Sequence, residues 1–100
     1  YIPINTEGCF SNNIISFARE FGGRWIIAVA PRLLASVIKE DQLPLGKGVW
    51  QDTSIVIPET AAVPKWKDAF TDRIIENNKK MDVGLILEKF PIALLINENN

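Results

Sequence analysis

The sequence predicts a mainly β domain, an antiparallel β-sandwich or Greek-key sheet with one or two short helices. About seven short apolar segments follow one another at close spacing, which is typical of all-β domains. Turn residues, mainly Gly, Pro and Asn, separate these segments. One stretch, residues 32–41, instead repeats its apolar residues at helical spacing.

Length and composition bound the class of protein. One hundred residues form a single domain, 1–100, with the 47% hydrophobic and 23% charged content of ordinary globular proteins. The net charge of −1 provides no attraction to nucleic acid or to an anionic membrane. The longest apolar run, 25–31, is far shorter than the ~20 residues of a membrane span. Because Cys9 is the single cysteine, no internal disulfide is possible, and we expect a cytoplasmic protein.

The first part of the chain predicts an edge strand followed by a hairpin. Residues 1–4 form a short strand, which Pro3 confines to a sheet edge or a strand start. Strands over 14–20 and 24–30 are joined by a tight turn at Gly22-Gly23. The strand over 24–30 is apolar on both faces, so it should lie centrally in the sheet and be covered on both sides.

The middle of the chain predicts a helix, a loop and further strands. Residues 32–41 form a short amphipathic helix, and the glycines and proline of 43–48 form a loop. Alternating apolar residues predict a strand over 53–57. Residues 64–68 form a turn that leads to a strand near 69–70.

The last part predicts short strands, the last of which is buried. Ile74-Ile75 favours a strand and Asn77-Asn78 a turn, and a further strand is expected over 83–85. Residues 86–90 form one helical turn, which Pro91 blocks from continuing. The apolar run 92–96 predicts a strand that is buried on both faces.

The composition of reactive side chains excludes several kinds of catalytic and metal site. The sequence has no histidine, which removes Ser-His-Asp and Cys-His catalysis and histidine-ligated metal sites. A lone cysteine cannot build a thiolate zinc site, so Cys9 is expected to be an inert small hydrophobe. No phosphate-binding loop is present, and we predict no cofactor. Asp68 cannot be paired with a second catalytic carboxylate from sequence, and Asp52 should accept backbone N–H bonds in a turn.

Two tryptophans and two arginines are the candidate contact residues. Trp50 and Trp66 are candidates for contact with a sugar or another domain, although packing in the core is the simpler role for both. Trp66, between two lysines, is expected to be the most exposed tryptophan, whereas Trp25 belongs to the core. Arg19 and Arg32 are candidates for pairing with a carboxylate such as that of Asp52, for binding a partner domain, or for plain solvated charge.

A series of short motifs runs through the chain in a fixed order. They are Phe17-Ala18-Arg19, Arg24-Trp25, Pro31-Arg32, Pro44-Leu45-Gly46, Trp50-Gln51-Asp52-Thr53, Trp66, Phe70-Thr71 and Phe90-Pro91-Ile92-Ala93-Leu94-Leu95. In order and spacing they resemble the C-terminal domain of the maltooligosyl trehalose synthases, enzymes of the α-amylase superfamily. The resemblance spans almost the whole chain. Relatives tend to have Gly where this chain has Asp72.

The resemblance implies a fragment of a larger enzyme. In that family the catalytic carboxylates lie on a barrel that precedes this domain, and the C-terminal β domain packs on the barrel and supports it. The parent enzyme is an intramolecular transferase that rearranges the reducing-end linkage of a maltooligosaccharide to give maltooligosyl trehalose. Two alternatives remain open, a carbohydrate-binding module with exposed aromatic residues and a stand-alone interaction domain without an exposed apolar patch.

Overall fold

The computed structural model describes residues 2–32, 43–61 and 63–98. Within these ranges the chain forms strands, two short α-helices and one 3₁₀ turn. In order they are β1 (Ile2–Pro3), β2 (Thr6–Glu7), the 3₁₀ turn (Ser11–Asn13), β3 (Ile14–Phe21), β4 (Arg24–Pro31), α1 (Lys47–Trp50), β5 (Ser54–Val56), β6 (Lys65–Asp68), β7 (Ile74–Glu76), β8 (Lys80–Asp82), α2 (Val83–Ile86) and β9 (Ala93–Glu98).

The strands form two antiparallel sheets. The larger sheet has the order β1-β3-β4-β9-β6-β7, and the smaller sheet has the order β2-β5-β8. Buried side chains of both sheets belong to one hydrophobic cluster, with Ile27, Val29 and Leu95 from the larger sheet and Ile55 and Met81 from the smaller. The predicted mainly β, sandwich-like fold with short helices is therefore confirmed.

The predicted hairpin forms the second and third strands of the larger sheet. Strands β3 and β4 pair along their full length, from Ile14 opposite Pro31 to Phe21 opposite Arg24. Gly22 and Gly23 form the turn with φ values of 57° and 83°, which glycine adopts without a steric penalty. Strand β1 lies at the sheet edge, in agreement with the expectation drawn from its proline.

The two short helices approach each other at a glycine. In α2, Gly84 lies so close to α1 that an added Cβ atom would be 2.6 Å from the Cα atom of Lys47. The backbone N–H of Gly46, just before α1, donates to the carbonyl of Leu87, just after α2, at 3.0 Å. Helix α1 begins inside the stretch 43–48, so the prediction of a loop there is correct only for its first part.

The order of turn and strand predicted for residues 64–70 is wrong. Residues 65–68 are the strand β6, and residues 69–71 form the turn that follows it. The reason is the alternation of the strand, in which Trp66 and Asp68 are buried while Lys65 is exposed. The buried carboxylate then accepts hydrogen bonds inside the turn.

Residues 74–85 do not form a hairpin, because β7 pairs with β6 in the larger sheet whereas β8 pairs with β5 in the smaller sheet. Strand β8 comes first, and α2 occupies the stretch predicted as strand 83–85 and only the start of the helical turn predicted for 86–90. A short apolar run does not distinguish a buried strand from a buried helix, which explains the error. Strand β2 was not predicted, whereas the strands over 14–20, 24–30, 53–57 and 92–96 are confirmed to within about two residues.

The helix predicted over residues 32–41 lies outside the described residues, apart from Arg32. In the described ranges no helix has the length and apolar character needed to cross a membrane.

Candidate functional site

Trp50 is part of the core. Its side chain in α1 is 0% exposed, and its indole N–H donates to the carbonyl of Pro44 at 3.0 Å. The ring of Phe10 meets the indole edge to face, with the ring centroids 6.4 Å apart. A tryptophan whose polar atom and rings are all engaged internally offers no surface for a sugar in this structure.

Trp66 is equally buried, which corrects the expectation that it is the most exposed tryptophan. Its side chain is 0% exposed, against 7% for Trp25. The indole N–H donates to Oδ1 of Asn77 at 2.9 Å, and Nδ2 of Asn77 donates to the carbonyl of Ala61 at 3.2 Å. The flanking lysines suggested exposure, but the pleat of β6 turns the indole to the side of the sheet opposite to theirs.

Arg19 and Arg32 lie at different places on the larger sheet. Arg19 is exposed on β3, opposite Ile26 of β4. Arg32 is exposed just after β4, where its backbone N–H donates to the carbonyl of Asn13 at 2.8 Å and its carbonyl accepts from Nδ2 of Asn13 at 3.3 Å.

Asp52 has the structural role predicted for it. Oδ1 of Asp52 accepts a hydrogen bond from the backbone N–H of Cys9 at 2.9 Å, and the hydroxyl of Thr53 accepts one from the backbone N–H of Phe10 at 3.1 Å. These bonds hold the turn at Gly8, where φ is 107° and an added Cβ would lie 2.5 Å from the carbonyl oxygen of Asp52. Cys9 was expected to be an inert small hydrophobe, but its side chain is exposed and does not pack in the core.

One face of the larger sheet is apolar and incompletely covered. In strands, side chains alternate between the two faces, so Trp25, Ile27 and Val29 of β4 point into the core and are buried. Over β3, β4 and β9 the opposite face, here called the outer face, consists of Ile15, Phe17, Arg19 and Phe21 of β3, Arg24, Ile26, Ala28 and Ala30 of β4, and Ile92, Leu94 and Ile96 at β9.

The outer face keeps large hydrophobic side chains in contact with solvent. Ile15 is 46% exposed, Phe17 39%, Phe21 58% and Ile92 42%. The neighbouring apolar residues of β4 and β9 are half-buried. The predicted burial of the strands over 24–30 and 92–96 on both faces is therefore realised fully on the core face and only partly on the outer face. This exposed apolar surface is therefore a candidate contact site.

A second exposed apolar feature lies beside the sheet. Phe70, in the turn after β6, and Phe90, in the connection before β9, stack with their ring centroids 5.5 Å apart and their planes at 23°. Phe70 is 53% exposed and Phe90 42%. Both residues belong to the sequence motifs described above. Their contact joins residues 20 positions apart, so the pattern of neither segment predicts it.

Comparison of the chain with models of protein families, with curated proteins and with solved structures gives no match. Within the described ranges, no three or more side chains of His, Cys, Asp or Glu are grouped so that they could hold a metal ion. The candidate sites are accordingly defined by geometry: the outer face of the larger sheet and the stacked pair of phenylalanines.

Proposed function

We propose that this chain is the C-terminal accessory β domain of an enzyme like the maltooligosyl trehalose synthases. In this proposal the chain performs no chemistry of its own and packs on the catalytic barrel of the same polypeptide, stabilising it. The parent enzyme converts a maltooligosaccharide in the cytoplasm to maltooligosyl trehalose by intramolecular transglycosylation at two carboxylates of the barrel. Apart from the order of its sequence motifs, the proposal rests on one structural observation, the outer face.

The outer face supports the proposal because its central strands have the composition of strands covered on both sides. Strand β4 places buried side chains on the core face and Ile26, Ala28 and Ala30 on the outer face. Sheets whose strands are apolar on both faces normally carry a layer of structure on each face. In the described residues, the buried side chains of the smaller sheet belong to the same hydrophobic cluster as the core face of the larger sheet. In our proposal the barrel is the layer on the outer face.

Charged residues at the hairpin end of the outer face favour a protein as the partner. Arg19 and Arg24 lie beside Phe21 at the hairpin end of the outer face. Stable interfaces combine an apolar centre with a polar rim of this kind. The apolar face also favours an accessory domain over a stand-alone interaction domain, for which the sequence predicted no exposed patch.

The proposal is tested in two steps. The first step is to read the coding sequence upstream of Tyr1. Several hundred codons of alternating strands and helices, with paired carboxylates at strand ends, are expected. A start codon immediately before Tyr1 would refute the proposal.

The second step substitutes Phe17→Lys in the enzyme so identified. An exposed fraction of 39% on a side chain of roughly 200 Å² leaves about 80 Å² for the barrel to cover, worth about 2 kcal/mol. Adding an unpaired charge there raises the penalty. We expect a lower thermal midpoint and less activity, with Asn12→Lys, an exposed position on the 3₁₀ turn, as the control. Equal behaviour of the two variants would show that the barrel does not use the outer face.

A further inference from the structure

The stacked pair Phe70–Phe90 has the geometry of a binding platform. The two rings are nearly parallel, with an angle of 23° between their planes, and each is about half exposed. The two rings contact each other and still leave a large part of each side chain in solvent. Exposing two aromatic rings side by side carries a hydrophobic penalty, which a ligand with an apolar face would relieve.

The turn that carries Phe70 is held in place before any ligand binds. Asp68, at the end of β6, is 1% exposed, and its Oδ1 accepts a hydrogen bond from the backbone N–H of Phe70 at 3.1 Å. Its Oδ2 accepts one from the hydroxyl of Thr71 at 3.1 Å. The backbone of Asp68 also accepts from the N–H of Asp72 at 2.8 Å. A turn fixed in this way loses little conformational freedom when a ligand binds.

Charged residues flank both phenylalanines in the sequence and form ion pairs. Near Phe70, Nζ of Lys67 lies 3.5 Å from Oδ1 of Asp72. Glu88, two residues before Phe90, has Arg73 at 3.8 Å and Lys89 at 3.9 Å. With three cations and two carboxylates close together, the rim has little net charge. It therefore does not select a polyanion such as nucleic acid, but it offers both donors and acceptors.

We propose that Phe70 and Phe90 form a stacking platform for a neutral oligosaccharide. A pyranose ring has a face of C–H groups, which packs on an aromatic ring, and a rim of hydroxyls, each of which both donates and accepts hydrogen bonds. The rings supply the apolar contact, and the paired charges at the rim supply partners for the hydroxyls. The proposal stands independently of the accessory-domain proposal, since it uses different residues.

The size of the platform favours a small ligand over a protein partner. Two half-exposed aromatic side chains present on the order of 200 Å². A stable protein interface buries about 1,200 Å² or more in total. The platform also differs from the tryptophans singled out in the sequence, because Trp50 and Trp66 are 0% exposed and cannot stack on a sugar without unfolding.

The test is a titration of the 100-residue chain with maltotriose and with cellotriose, followed by two-dimensional nuclear magnetic resonance. We expect saturable shifts for at least one sugar, centred on the ring protons and backbone amides of Phe70 and Phe90. Phe70→Ala should weaken binding roughly tenfold, since it removes one stacking surface. Phe70→Tyr keeps the ring and should bind nearly as well as the unchanged chain. Phe21→Ala, which removes an exposed phenylalanine of the outer face, is the matched control and should leave the affinity unchanged.

Three outcomes would overturn the proposal. They are the absence of saturable shifts with both sugars, equal affinity of Phe70→Ala and the unchanged chain, and shifts that map to the outer face. A ring pair that becomes protected only when the barrel is attached, with no sugar binding in either state, would assign it to a protein interface instead. Because the titration uses this chain by itself, its result does not depend on what lies upstream of Tyr1.

Discussion

The contact between the two short helices gives the sharpest prediction. At Gly84 an added Cβ would lie 2.6 Å from the Cα of Lys47, 2.9 Å from its backbone nitrogen and 3.1 Å from the carbonyl carbon of Gly46. All three neighbours are backbone atoms, which cannot rotate aside as a flexible side chain does. Gly84→Ala therefore requires α1 and α2 to move apart.

The size of the effect follows from overpacking a buried contact. Extra methyl or methylene groups in a tightly packed interior cost about 1–3 kcal/mol, and a displaced backbone belongs at the upper end of that range. For a domain of this length 1 kcal/mol shifts the thermal midpoint by about 4–8 °C. We expect Gly84→Ala to lower the midpoint by roughly 10–20 °C.

The assay is thermal and denaturant unfolding followed by far-ultraviolet circular dichroism, with Gly48→Ala as the control. Gly48 also lies in a helix, but an added Cβ there meets nothing within 4 Å. Alanine should be neutral or should stabilise at that position, by up to about 1 kcal/mol. If Gly84→Ala unfolds within about 0.5 kcal/mol of the unchanged chain, the close approach of the helices is refuted.

Two further substitutions test hydrogen bonding and backbone conformation. Asn77→Ala removes the acceptor of the buried indole N–H of Trp66 and should lower the free energy of unfolding by about 1–3 kcal/mol, measured by denaturant titration with tryptophan fluorescence. Asn78→Ala, at the exposed neighbour, should change it by less than about 0.5 kcal/mol, and equal effects would contradict the role of the hydrogen bond. Asp72 has φ of 60°, a left-handed conformation that glycine adopts with less steric strain. Asp72→Gly should therefore raise the free energy of unfolding by about 0.5–1 kcal/mol. A loss of stability would instead show that the surface ion pair with Lys67 outweighs the relief of backbone strain.

Local sequence patterns were sufficient to predict the structure where segments adjacent in sequence are also adjacent in space. Alternating apolar residues and the Gly22-Gly23 turn predicted the hairpin of β3 and β4, because the turn fixes its own register. The same patterns failed around Trp66. The strand there reads as alternating lysine, tryptophan, lysine and aspartate, and the buried Asp68 hides the apolar side of the alternation.

The candidate sites divide in the same way. The apolar outer side of β4 and β9 is visible in the sequence, because both strands are apolar at every position of their central parts. The bond between Asp52 and the turn at Cys9 joins residues 43 positions apart, and the stacking of Phe70 on Phe90 joins two loops. The residue pattern within a single segment does not predict such long-range contacts.

The sequence by itself determined that the chain is mainly β, that its central strands are apolar on both faces, and that it lacks histidine-based chemistry. Alternation, turn residues and composition are local properties that the chain carries into any fold. Tertiary structure alone decided which apolar side chains are covered and which are left in solvent. It buried Trp50 and Trp66 and left Phe70 and Phe90 exposed, because burial depends on which segments pack across the core and not on the residue type.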